Sequence, residues 1–152
     1  MNLSTQDARA LLATVRVARL ATVSPDGQPH LVPVTFAADG DRVYIAIDHK
    51  PKTTTNLKRL RNISHNPRVS LLADHYEDDW AQLWWVRVDG QARVLAGADR
   101  EGPVDLLASK YGQYAEQRPD GPVISIEVTR WTAWASSLQA TTLLRASGGK
   151  GR

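Results

Sequence analysis

The chain has 152 residues, 42% hydrophobic and 23% charged, a size and composition that suit one globular domain able to bury a core unaided. It contains no cysteine, so disulfides and thiolate metal sites are excluded. The formal net charge is only +3, yet residues 49–73 carry Lys50, Lys52, Lys58, Arg59, Arg61 and Arg68 and no acid.

The other thirteen basic residues face all sixteen acids, so one internal segment is a concentrated positive field on an otherwise slightly acidic chain. Such a segment reads either as a solvated helix face or as a site for an anionic partner: phosphate, polycarboxylate or nucleic acid. The opening Met1-Asn2-Leu3-Ser4 lacks the apolar core of a signal peptide, and no apolar run reaches bilayer length. The expected compartment is the cytosol.

Ser4-Thr5-Gln6-Asp7 is close to a capping box, and Ala8, Leu11, Leu12 and Val15 follow at helical spacing. Residues 17–23 read as a strand, closed by the turn Ser24-Pro25-Asp26-Gly27. An extended run over 31–36 follows, with Pro29 and Pro33 in or beside it. Proline cannot donate to a ladder, so this strand needs a sheet edge or a bulge. Asp39-Gly40-Asp41 turns into a third strand over 42–47.

Residues 49–55 read as a loop and 56–64 as a short helix stopped by Asn66-Pro67. A strand over 69–73 leads to an acidic, exposed connection at 74–79. Residues 80–95 form one long strand or a bent pair, broken at Asp89-Gly90. Gly102-Pro103 opens another helix with Val104, Leu107, Ala108 and Tyr111 on one face. After the turn at 118–121, the last strand runs over 122–134. About six antiparallel strands with helices at the corners predict a small barrel. We place it at 1–135, followed by a tail, 136–152, that ends in a Gly-rich, disorder-prone stretch.

The common catalytic motifs fail. There is no Gly-x-Ser-x-Gly elbow, His-Glu-x-x-His or Walker loop, and His30, His49, His65 and His75 do not stand at ligand spacing. No catalytic residue and no metal ligand is therefore assigned. What remains is a strand that empties into Lys50-Pro51-Lys52-Thr53-Thr54-Thr55 and then a helix. Helix N-terminal amides attract anions, and Lys, Arg and Thr add charge and hydrogen bonds, so this is a reasonable phosphate cradle. These residues are expected at the surface. The five tryptophans suit core and subunit interface. Trp84 and Trp85 are adjacent on a strand and must face opposite sides.

At these residues the chain resembles a known family. Ala18-Arg19-Leu20-Ala21-Thr22-Val23 with Asp26-Gly27-Gln28-Pro29-His30 looks like the opening hairpin of the pyridoxamine 5′-phosphate oxidase-like flavoproteins. Asn66-Pro67-Arg68-Val69-Ser70-Leu71 and Gly90-Gln91-Ala92-Arg93-Val94 resemble further family segments. Together they cover about residues 8–134. Lys50-Pro51-Lys52, Leu60-Arg61-Asn62-Ile63, Asp74-His75-Tyr76, Asp79-Trp80 and Leu83-Trp84-Trp85-Val86-Arg87 are similar to the B group of F420-dependent oxidoreductases.

The resemblance implies a mainly β fold, a split β-barrel of the FMN-binding kind, and a homodimer with a cofactor groove at the subunit interface. It implies coenzyme F420 as cofactor, with FMN or a non-catalytic haem-type carrier as the alternatives, and a small conjugated molecule as substrate. The family's phosphate-binding cation falls on Arg59, counting back from Asn66-Pro67, and the neighbouring asparagine on Asn62. Lys50, Lys52, Thr53 and Trp80 complete the candidate cofactor set. The tail after Trp134 lacks the arginine and histidine motif with which pyridoxamine phosphate oxidases hold substrate, which argues against that activity. Nucleic acid is the rival anionic partner. The basic run has no interleaved aromatics to support it.

Overall fold

A computed structural model describes residues 1–47 and 54–142. Its elements in chain order are α1 (Thr5–Thr14), β1 (Ala18–Val23), β2 (Pro29–Val34), β3 (Ala37–Asp39), β4 (Arg42–Ala46), α2 (Thr54–His65), β5 (Arg68–His75), β6 (Trp84–Leu95), α3 (Glu101–Lys110), α4 (Gly112–Glu116) and β7 (Val123–Ala135). The strands form one antiparallel seven-stranded sheet in the order β2-β1-β5-β6-β7-β4-β3.

One connection gives this sheet its shape. β2 and β3 are its two opposite edges, yet only Thr35 and Phe36 separate them. Three Cα steps reach at most about 11 Å. The edges therefore lie side by side at that point, and the sheet is rolled into a barrel. Leu20, Leu71 and Val88 stand in register on the inner face, with Val86, Ile124 and Ile126 also fully buried. Phe36 closes the seam with no exposed surface.

Tyr111, at the α3–α4 corner, pins the seam. Its hydroxyl accepts from Phe36 N (3.1 Å) and shares its proton between the carbonyls of Arg16 (2.8 Å) and Phe36 (3.0 Å). The Tyr114 hydroxyl and Thr35 Oγ1 are 2.8 Å apart. Side-chain hydroxyls thus do at the seam what a ladder does elsewhere.

The edge position of β2 explains its prolines. Pro29 and Pro33 share a parity, so neither is needed as a donor to β1 and both can face the open edge. At the opposite edge of the sheet, β3 pairs, among the described residues, with Arg42–Tyr44 of β4 alone. It is a three-residue strand that the sequence pattern passes over.

α1 begins as its capping signal predicts: Ser4 Oγ accepts from Asp7 N at 3.1 Å. The helix buries Ala8, Leu11 and Leu12 in the core. The first residues add a short bridge to β7, with Leu3 N donating to Ala133 O at 3.0 Å.

Three expectations are corrected. Asp74 and His75 belong to β5 and not to a loop. Trp80–Gln82 forms a short 3-10 turn, and β6 starts only at Trp84. Asp89-Gly90 does not break β6. It is a bulge, where the register against β7 moves from Arg130 to Val128 and Thr129 is left over. Gly90 is needed there: a Cβ on it would stand 2.4 Å from Glu127 O and 2.9 Å from Ile126 Cγ2. Beyond β7, Leu138–Thr141 makes a 3-10 turn that buries Ala140 in the core, and residues 143–152 lie outside the described part. Among the described residues no helix is long and apolar enough to cross a membrane.

Two stability predictions follow from this geometry. Gly90→Ala forces backbone or Ile126 to move and is expected to cost about 1–3 kcal/mol in urea unfolding, as overpacked cores do. Tyr111→Phe removes the seam hydroxyl and strands the Phe36 N–H. A loss of about 1–3 kcal/mol is expected, with the circular dichroism spectrum unchanged.

Candidate cofactor groove

The seam is closed at Phe36 but not along its length. Beyond Tyr44 the edge of β4 has no partner in β3, and the last residues of β2 have none in β3 either. A groove of about 850 Å³ occupies this region. Val32, Pro33, Val34 and Thr35 line it from the β2 side, and Ile45 and Ala46 from β4. Arg59 of α2, Arg16, and residues 110–114 at the α3–α4 corner complete it. Among these described residues are three cations, Arg16, Arg59 and Lys110, and no carboxylate.

Arg59 is only 9% exposed, which corrects the expectation of a surface group. Its position on the inner side of α2 sets this, next to Asn62 and Ile63, which are also buried. Burial lowers its pKa below that of free arginine. Lys58, one residue earlier, is exposed, as neighbours on a helix diverge by about 100°.

Asn62 Nδ2 donates to Thr22 Oγ1 at 3.0 Å, and both are buried, so this asparagine straps α2 to β1. His30 stands opposite Thr22 in the ladder. Burial, then the charges of Lys58 and Arg59, hold its pKa below the usual histidine range. Its buried Nδ1 finds no hydrogen-bond partner among the described residues.

The helical wall supplies residues that the sequence reading did not single out. The Lys110 ammonium sits 3.7 Å from the centroid of the Phe36 ring and 5.2 Å from that of Tyr111. Burial, and then the charge of Arg16, push its pKa down to about 8. The Arg16 guanidinium lies 5.6 Å from the Tyr111 ring centroid and donates to the Lys110 carbonyl. A lysine at a helix C-terminus is ordinary, so nothing local marks this one.

Of the predicted site residues, Arg59 lines the groove. Asn62 lies behind it as a strap. Lys50, Lys52 and Thr53 lie outside the described residues. Trp80 is elsewhere: it is 68% exposed, edge to face with Tyr76 at 6.5 Å, and does not line the groove. Of the adjacent pair, Trp84 is core and Trp85 faces outward. Trp85 joins Ala21, Leu31, Leu72, Tyr76 and Leu83 around a second groove, of about 520 Å³, on the outer face of β2-β1-β5-β6.

The buried Arg59, the half-buried Lys110, the exposed Arg16 and the acid-free described lining fit an anionic, partly apolar ligand of cofactor size. Comparison with known proteins agrees with this setting. The family model of pyridoxamine 5′-phosphate oxidase matches residues 4–135. A 5a,11a-dehydrotetracycline/5a,11a-dehydrooxytetracycline reductase of Streptomyces rimosus is 36% identical over 84 residues, which is 55% of this chain and 58% of that protein.

Among solved structures, a FAD-binding protein of Mesorhizobium loti superposes with a TM-score of 0.67 at 22% identity, over 88% of this chain and 95% of its own. A haem-binding protein of Mycobacterium smegmatis gives 0.64 at 19%, over 90% of this chain and 59% of its own. At such identities these two show the fold, and their different ligands show that the fold alone does not select one. On its sequence and its rolled seven-stranded sheet, the chain belongs to the pyridoxamine 5′-phosphate oxidase family of oxidoreductases, with the split β-barrel fold.

Proposed function

We propose that this protein is an F420-dependent oxidoreductase that reduces a small conjugated substrate, working as a homodimer. The observation that carries the reading is the seam groove with its three cations and no described carboxylate. F420 bears both a phosphate and a glutamate tail, which a spread of cations suits better than one hook. The reductase from Streptomyces rimosus supports reduction of a conjugated ring substrate, and since the match spans 58% of that protein, its chemistry enters here as analogy.

The cofactor, when bound, supplies the hydride. This chain's own residues bind, orient and exclude water. Arg59 offers a desolvated guanidinium to the phosphate, a setting in which a charge-assisted hydrogen bond is strong. Val32, Val34 and Ile45 present apolar surface to a flat ring. Lys50, Lys52 and Thr53 border α2 in sequence and are proposed to complete the phosphate site. FAD-binding among the fold's relatives favours FMN as the second reading.

The dimer rests on the outer face of the sheet. Leu31 stands opposite Ala21, and Leu72 between Arg19 and Arg87, with Leu31 67% exposed. Exposed apolar rows on a sheet of a small protein call for a cover. A second copy of this face is the proposed one, its apolar rows flanked by the Arg19–Asp74 ion pair, 3.7 Å apart within the chain.

Two experiments test these readings. In parallel fluorescence titrations, F420 should bind more tightly than FMN, and a tenfold preference for FMN would install the second reading. Arg59→Met, which keeps the stem packing, should weaken F420 by about tenfold to a hundredfold, the worth of one charge-assisted bond. Lys58→Ala should cost little beyond a salt-screened loss. Equal, small, strongly salt-dependent losses in both would mean a diffuse basic surface. For the dimer, sedimentation at micromolar concentration should give twice the 16.8 kDa chain mass. Leu31→Asp with Leu72→Asp should give the single mass, and a monomeric wild type would remove the dimer.

A further inference from the structure

The α3–α4 wall of the groove carries a group that the proposed function leaves unassigned, the amine of Lys110. Among the described residues its three N–H donors find no hydrogen-bond partner, although Nζ is buried. A structural role is available: the Phe36 ring at 3.7 Å favours an ammonium through its π face. Burial and a neighbouring charge act the other way. Desolvation, with Arg16 behind it, leaves the amine at about 8, well below the 10.5 of ordinary lysine. A lysine that is desolvated and set beside another cation is the arrangement that makes an amine nucleophilic near neutral pH.

The groups facing it point to the kind of electrophile. Arg16 comes from the α1–β1 connection, Arg59 from α2, and Tyr111 and Tyr114 from the α3–α4 corner. None of the described lining residues is a carboxylate that would hold the amine as a paired ammonium. The Arg16 guanidinium, whose charge reaches the amine, attracts an anion, and a neutral amine beside it attacks a carbonyl.

We propose that Lys110 captures carbonyl compounds that carry a carboxylate or phosphate, with Arg16 holding the anionic end. The neutral Nζ adds to the aldehyde carbon while a proton moves from nitrogen to the carbonyl oxygen, giving a carbinolamine. Loss of water then gives the imine, with no oxidant or reductant consumed. The four-carbon stem lines the groove, so rotation about its terminal bonds brings Nζ out from the Phe36 ring. This role is independent of the cofactor reading, and its test uses no cofactor.

The chain has five lysines, Lys50, Lys52, Lys58, Lys110 and Lys150, so a labelled residue can be identified by peptide mapping. The whole protein is incubated at pH 7.5 with 4-formylbenzoate or with neutral benzaldehyde, then trapped with sodium borohydride. Lys110 is expected to be labelled at least about tenfold over the other lysines, as its lowered pKa allows. The anionic aldehyde should label it faster than the neutral one. The rate should level off as pH passes about 8. Lys110→Arg, which keeps the charge over Phe36, should fold with an unchanged urea midpoint and lose the label. Preferred labelling of any other lysine overturns the proposal. Equal labelling by benzaldehyde, or a rate still climbing at pH 10, overturns it as well.

Discussion

Two residues, Thr35 and Phe36, tether opposite edges of one sheet, and most of the molecule answers to that tether. A sheet whose edges are held this close must roll. It cannot zip shut, because β3 is three residues long and β2 carries Pro33 near its end. Edge groups left bare in a barrel wall need partners other than a ladder. Tyr111 and Tyr114 supply hydroxyls at the tether. Where no described side chain fills the gap beyond it, the groove remains. The candidate site is thus a consequence of incomplete closure and not a feature added to a finished barrel.

Filling that gap for stability alone would call for apolar side chains, because taking a cation out of water is costly and a hydrophobic residue in its place often is not. The chain instead places Arg59 and Lys110 there, and burial disfavours the charged form of both. An arrangement that works against folding and favours an anion is expected at a functional site. Linkage fixes the sign of its response. An anion in the groove stabilises the ammonium of Lys110, so binding takes up protons around pH 8, and binding weakens as pH rises above it.

The residues show why some of this was legible in the sequence and some was not. Capping by Ser4, the hairpin turn at 24–27 and the edge position of the proline-bearing strand are local signals, and each is realised. The opposite fates of Trp84 and Trp85 follow from strand geometry alone. β3 is too short to leave a pattern. Gly90 carries a turn-like signal with Asp89, but its role is set by Glu127, far along the chain. Lys58 and Arg59 are chemically alike and adjacent; which of them is buried depends on how α2 sits against β1, through the bond between Asn62 and Thr22. Lys110 and Tyr111 reach the site only because the α3–α4 corner packs on Phe36, a contact across seventy-five positions. No local pattern encodes that.

β2 joins the two grooves of the molecule. Its inward residues Val32 and Val34 and its open edge border the seam groove, while Leu31 points to the apolar outer face. Because strand alternation is rigid, a shift of β2 that alters one face must alter the other. A second copy seated on Leu31 and Leu72 would therefore stiffen the strand that forms one wall of the candidate cofactor groove. The proposed dimer then contributes to binding before any residue of the partner touches the ligand. It reduces the freedom that the wall would otherwise lose when the ligand arrives.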